Sequence, residues 1–308
     1  MLMRPRGWMS GALISAVALT ALVNPAIDST VRAQSTPAFK TGVERVALAA
    51  TVRDGRGRLV TNLTAQDFEL LDTGRSRPLL AVWTEPSPAS VALLIDASGS
   101  MATKLARARE TAQYLLASLQ PTVDEAALYS FDTTLSELRP FSTKLDRFQD
   151  SWDHTRAYGE TSLWDAIAST ARRVADRRNR RALIVITDGV DSASRLQPSE
   201  VSAIASSLDV PVYLLVIAFL TDEEPSDASS RRGPLADLAA WTGGDMLVVR
   251  DAVTARDAAQ RIISELQHQY LIAFEPNNTP GWHPLVLRTK TDGLFVRVRS
   301  GYVVDAGK

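Results

Sequence analysis

The chain has 308 residues, 45% of them hydrophobic and 22% charged, with 16 Gly, 15 Pro and no Cys. This composition excludes a collagen-like, low-complexity or disulfide-stapled chain, and it excludes zinc–thiolate and cysteine-nucleophile chemistry. A net charge of −1 gives no reason to expect a nucleic-acid partner.

The first 33 residues read as an export signal. Arg4 and Arg6 precede an uncharged, mostly apolar run from Gly11 to Val23, and Val31-Arg32-Ala33 offers a small-residue cleavage site before Gln34. A membrane span needs roughly 20 apolar residues, so this shorter run predicts a removable signal rather than a stable transmembrane anchor. Export without Cys favours a bacterial periplasmic or secreted location over a eukaryotic extracellular one.

Residues 34–89 carry short strand signals. Val46, Leu48, Ala50 and Val52 alternate with Ala47, Ala49, Thr51 and Arg53, and Asp54-Gly55-Arg56-Gly57 forms a turn. Phe68-Glu69-Leu70-Leu71 is a second strand, closed by Asp72-Thr73-Gly74. Glu85-Pro86-Ser87-Pro88-Ala89-Ser90 reads as a boundary.

Residues 90–269 change to alternating strands and helices. Val91–Ile95 and Ala182–Ile186 are solid apolar runs, as expected of strands buried on both faces. Further strands are predicted at 126–131, 135–141, 210–219 and 246–249. Helices are predicted at 102–119, 163–177, 198–208, 234–241 and 254–269. The pattern predicts an α/β fold with an open, mainly parallel sheet flanked by helices.

Residues 270–308 return to strands, at 270–274, 285–290 and 295–300. In the last, Val296 and Val298 share one face and Arg297 and Arg299 the other. Each flank is short for an independent sheet. They are expected to pair into one additional β-sandwich around the inserted α/β domain.

The chemistry concentrates after two apolar strands. The first is followed by Asp96-Ala97-Ser98-Gly99-Ser100, and the second by Thr187-Asp188-Gly189. Gly159-Glu160-Thr161-Ser162-Leu163 opens the helix between them. In an open parallel sheet, ligands bind beyond the carboxyl ends of the strands. If the two strands are neighbours, Asp96, Ser98, Ser100, Thr161 and Asp188 converge. Two carboxylates and three hydroxyls are hard oxygen donors suited to a small divalent cation, Mg²⁺ or else Mn²⁺ or Ca²⁺. Hydroxyls neutralise none of the metal charge, so such a site would accept a further carboxylate from another molecule.

These motifs resemble the von Willebrand factor type A domain over about 90–269. The resemblance implies that family's metal-ion-dependent adhesion site. Asp96, Ser98 and Ser100 match its first motif, Thr161 its second and Asp188 its third. The flanks resemble an exported, acidobacterial-type group of von Willebrand factor A-related domains. They do so through Val52-Arg53-Asp54 with Gly57, Leu63-Thr64, Asp67-Phe68 and Gly74, then Gln269-Tyr270 and Arg299-Ser300-Gly301-Tyr302. The implied function is a non-enzymatic, metal-dependent adhesion module that recruits an Asp or Glu of a protein partner. Two alternatives stand beside it: a metal-dependent hydrolase or phosphoryl-transfer enzyme, and a structural envelope protein with a vestigial site. An enzyme needs a placed base or nucleophile, and Asp165 and Asp191 are the nearest spare carboxylates.

Four other features have plainer expectations. Asp222, Glu223, Glu224, Asp227, Arg231 and Arg232 form a charged loop, expected to be solvated. Arg172, Arg173, Arg177, Arg178, Arg180 and Arg181 surround a helix end, where cations complement the helix dipole. Trp164 is expected in the core and Tyr158 near the rim of the site. His154, His268 and His283 have no metal-ligand spacing.

Overall fold

The computed structural model describes residues 45–152, 155–219 and 233–304. The signal reading of residues 1–33 and the charged loop at 220–232 lie outside the described residues, as does His154.

The central sheet has the order β10-β9-β8-β5-β6-β7. Its strands are β5 (Ala89–Asp96), β6 (Glu125–Phe131), β7 (Leu135–Ser142), β8 (Arg180–Thr187), β9 (Val212–Ile217) and β10 (Met246–Val249). All neighbours are parallel except β6 and β7. The helices are α1 (Leu105–Ser118), α2 (Leu163–Ala175), α3 (Pro198–Ser207), α4 (Pro234–Thr242) and α5 (Ala252–Gln267). Alternation along the central strands divides the core. Val91, Leu93 and Ile95 pack with α1 and α5, whereas Ala92 and Leu94 pack with α2, α3 and α4. Each fully buried Leu, Ile or Val contributes about 1.5–3 kcal/mol, and this two-sided burial explains why β5 and β8 carry unbroken apolar runs.

The flanks form two antiparallel four-stranded sheets. One is β13-β1-β11-β4, with β1 (Val46–Asp54), β4 (Leu79–Trp83), β11 (Tyr270–Phe274) and β13 (Leu294–Arg297). The other is β14-β12-β2-β3, with β2 (Phe68–Asp72), β3 (Arg75–Arg77), β12 (Gly281–Thr289) and β14 (Gly301–Val304). N- and C-terminal strands thus pair directly: Leu48 faces Ile272, and Leu70 faces Leu287. Leu48, Ala50, Val52, Leu70, Ile272 and Phe274 are among the residues of their shared core.

Several boundaries differ from the sequence expectation. The first helix starts at Leu105 because Gly99–Met101 forms a 3₁₀ turn after the Ser98 loop. Strands β3, β4 and β14 were not expected. The last predicted strand stops at Arg297, because Ser300 instead donates its N–H to the Trp241 carbonyl. Arg297 and Arg299 do share a face, but it meets the α/β layer. Arg297 pairs with Asp245 at 2.8 Å and Arg299 with Asp209 at 3.2 Å. Among the described residues, no helix is long and apolar enough to cross a membrane.

Candidate metal centre

Three loops at the carboxyl edge of the central sheet bring the motif residues together. Strands β5 and β8 are direct neighbours, with Ile95 opposite Ile186. Their next residues are therefore level, and the Thr187 hydroxyl donates to Asp96 Oδ2 at 2.6 Å. The other carboxylate oxygen, Oδ1, accepts the Ser98 N–H at 2.9 Å. Asp96 and Ser98 are fully buried. The Ser98 and Ser100 hydroxyl oxygens lie 3.1 Å apart, so the alternating serines of the turn present their oxygens side by side.

The Thr161 loop is tied to the first loop by its backbone. Gly99 N–H donates to the Gly159 carbonyl, and Tyr158 N–H donates to the Ala97 carbonyl, each at 2.9 Å. Gly159 has φ +80°, a left-handed conformation that glycine adopts without a steric penalty. The Thr161 N–H donates to Ser192 Oγ at 2.9 Å, and the Thr161 carbonyl accepts from Ser192 and Ala193. The third loop also caps α2. Asp191 Oδ1 accepts the Leu163 N–H, and Ser194 Oγ accepts the Trp164 N–H, both at 2.9 Å. These contacts satisfy donors that a helix start leaves free. Asp165 accepts the N–H groups of Arg195 and Leu196. Asp165 and Asp191, the spare carboxylates named above, are thus engaged in bracing the loops.

The donor set fits a small, hard cation. Thr161 is only 3% exposed, yet its hydroxyl has no hydrogen-bond partner among the described residues. Burial pushes the Asp96 carboxyl above its ordinary value, and repulsion from Asp188 acts in the same direction. A bound cation would relieve both effects. Among the described residues, no three His, Cys, Asp or Glu side chains gather into a metal cluster. The candidate centre instead combines two carboxylates with hydroxyls, a set suited to Mg²⁺ rather than to a softer metal.

Two contributors were missed by the sequence reading. Thr187 orients Asp96, and its place immediately before Asp188 at the end of a buried strand was the available signal. Lys104 Nζ lies 3.4 Å from Asp188 Oδ2, with Asp188 almost wholly buried. Only its position one turn after the Ser98–Ser100 loop hinted at that. Of the neighbouring aromatics, Trp164 is buried and Tyr158 is 80% exposed. His268 bonds the Ser264 carbonyl, while buried His283 lies against Asp72. Neither lies at the sheet edge that carries Asp96 and Asp188.

No curated protein matches the sequence significantly. The conserved hypothetical protein BatB from Bacteroides thetaiotaomicron is similar at 17% identity and TM-score 0.48, over 58% of this chain and 98% of that one. A von Willebrand factor type A protein from Catenulispora acidiphila is similar at 14% identity and TM-score 0.49, over 87% of this chain and 76% of that one. An aerotolerance-related membrane protein from Bacteroides fragilis is similar at 16% identity and TM-score 0.43, over 57% and 99%. The family model of the von Willebrand factor type A domain matches residues 91–190, the stretch that runs from β5 through Asp188. Residues 91–190 are thus similar to a von Willebrand factor type A domain.

Proposed function

We propose that this chain is an exported, metal-dependent protein-binding module. Domains of this family generally mediate protein–protein contacts and are generally not enzymes. The observation that carries the reading is the meeting of three braced loops around Asp96, Ser98, Ser100, Thr161 and Asp188 at one edge of the sheet. Those five side chains would hold Mg²⁺, with Mn²⁺ or Ca²⁺ as substitutes. The ion would supply an electrophilic position for a carboxylate oxygen. Thr187 fixes Asp96, the Gly99–Gly159 bond fixes the two loops together, and exposed Tyr158 stands where a partner would approach. Asp or Glu of a protein partner is the group this arrangement would recruit.

In this reading residues 1–33 direct export to the periplasm or medium, and 34–89 with 270–308 form a sandwich that carries the 90–269 domain. The flank motifs support placement in the acidobacterial-type group. A library of immobilised Asp- and Glu-containing peptides tests the function. The full chain should be retained in Mg²⁺, released by EDTA, and not retained as Thr161→Ala. Retention that ignores EDTA, or none in Mg²⁺, contradicts the proposal.

A further inference from the structure

The amino edge of the central sheet holds a second, differently charged site. Helix α2 ends at Ala175, and Arg180 opens β8. The turn between them, together with Ala47, Ala49 and Leu271 of the sandwich strands, lines an open cavity of about 550 Å³. Its lining includes Arg177, Arg178, Arg180, Arg181, Asp209 and Gln269.

Carboxylates do not balance these guanidiniums. Arg177 forms a bidentate pair with Glu125, at 2.8 and 2.5 Å. Asp209 is shared between Arg181 at 3.3 Å and Arg299 at 3.2 Å. Arg180 is half-buried and donates only to main-chain carbonyls, those of Leu266 at 3.1 Å and Glu85 at 2.8 Å. Burial lowers its pKa, with no carboxylate opposing that shift. Arg178 is exposed and has no hydrogen-bond or ion-pair partner among the described residues. The helix-end expectation accounts for Arg181, which donates to the Ala175 carbonyl at 2.7 Å. It does not account for Arg178 or Arg180.

Gln269 adds a neutral hydrogen-bonding group to the lining. The residue is 4% exposed and lines the cavity, and its carboxamide has no hydrogen-bond partner among the described residues.

We propose that this cavity binds a phosphate-bearing ligand. Planar guanidiniums with free N–H groups match phosphate oxygens, the carboxamide adds a neutral donor, and the volume lies within the range of small-molecule sites. The phosphate belongs either to a soluble phosphate ester or to a lipid headgroup. The site lies at the opposite end of β8 from Asp188, which is eight residues beyond Arg180 and about 26 Å away at the usual rise per residue. It therefore stands or falls independently of the candidate metal centre.

The test is calorimetric titration of inorganic phosphate and pyrophosphate into the full chain at constant ionic strength. The variants are Arg178→Gln and Arg178→Glu, which alter a side chain with no structural partner. The wild type should bind saturably. Arg178→Gln should bind about tenfold more weakly, the loss expected for one charge-assisted hydrogen bond, and Arg178→Glu should not bind. The Mg²⁺ response of both variants should match wild type. Co-sedimentation with phosphatidylglycerol but not phosphatidylcholine vesicles, competed by phosphate, would assign the source to headgroups. Phosphate binding without vesicle binding would assign it to soluble esters. Heats that chloride reproduces, no saturable phosphate or pyrophosphate binding, or undiminished binding by Arg178→Glu would overturn the proposal.

Discussion

Replacing Lys104 with Met should tighten Mg²⁺ binding. The ammonium lies 3.4 Å from Asp188 Oδ2, on a side chain that is 21% exposed. Without metal, it offsets the charge of a carboxylate that is otherwise withdrawn from water. A divalent cation sharing Asp188 must either displace the ammonium or tolerate it. Displacement forfeits a partly exposed ion pair, worth about 0.2–1 kcal/mol. Tolerance is dearer: charges of +2 and +1 separated by about 5 Å repel by about 1.7 kcal/mol even with the screening of water. Removing the ammonium abolishes either cost, so affinity should rise by about 1.5- to 20-fold. Calorimetric titration at fixed ionic strength reads this directly. Lys104→Arg keeps the cation and should stay near wild type. A folded Lys104→Met protein that binds Mg²⁺ no better than wild type would refute the placement of the ion beside Asp188.

Other substitutions test the rest of the structure. Glu265 is fully buried and accepts from Arg53 at 2.9 and 2.6 Å, from Arg261 at 3.4 Å and from Arg297. Glu265→Ala would strand those cations, and urea unfolding should show a loss of about 3–5 kcal/mol; a loss below about 1 kcal/mol would mean that this network contributes little. A β-carbon built on Gly244 would land on the Val212 carbonyl. Gly244→Ala should therefore lower thermal stability by about 1–3 kcal/mol, and an unchanged melting temperature would contradict that packing. Burial alone would raise the Asp72 carboxyl, but hydrogen bonds from Tyr302, Thr73 and His283, with the charge of Arg77, hold it below the ordinary value of an aspartate. Its folded pKa is depressed, so its contribution is present above that value and is lost as pH falls through the lower folded value. The wild-type melting temperature should then drop more steeply than that of Asp72→Asn on acidification below about pH 4; parallel curves would remove Asp72 as the cause.

The central α/β layer was legible because its signals are local. Val91–Ile95 and Ala182–Ile186 are apolar on both faces, which in a chain of this kind means a strand covered by helices on each side. The motif loops that the proposed centre uses are placed by the same strands. Asp96, Ser98, Ser100 and Asp188 follow such strands at short spacings, and β5 and β8 are neighbours, whereas Thr161 precedes α2.

What stayed hidden depends on long-range pairing. Arg75–Arg77 and Gly301–Val304 are too short and too mixed to show alternation, and they become strands by pairing with β2 and β12. Leu79–Trp83 is a short apolar run whose role as an edge strand follows from its pairing with β11. The partners of Arg297 and Arg299 were not legible, because Asp245, Glu265 and Asp209 come from other elements. The contact between Lys104 and Asp188 spans a separation that no spacing rule covers. The unbalanced guanidiniums of Arg178 and Arg180 became visible only once the partners of their neighbours were known.

The account rests most directly on whether Asp96 and Asp188 hold a divalent cation. The decisive measurement is calorimetric titration of Mg²⁺ into the full chain, beside Asp96→Ala and Asp188→Ala, with circular dichroism to establish that each variant folds. Saturable binding by the wild type, lost in both folded variants, is the predicted result. A well-folded wild type that takes up neither Mg²⁺ nor Mn²⁺ at millimolar concentration, or variants that bind as the wild type does, would contradict it.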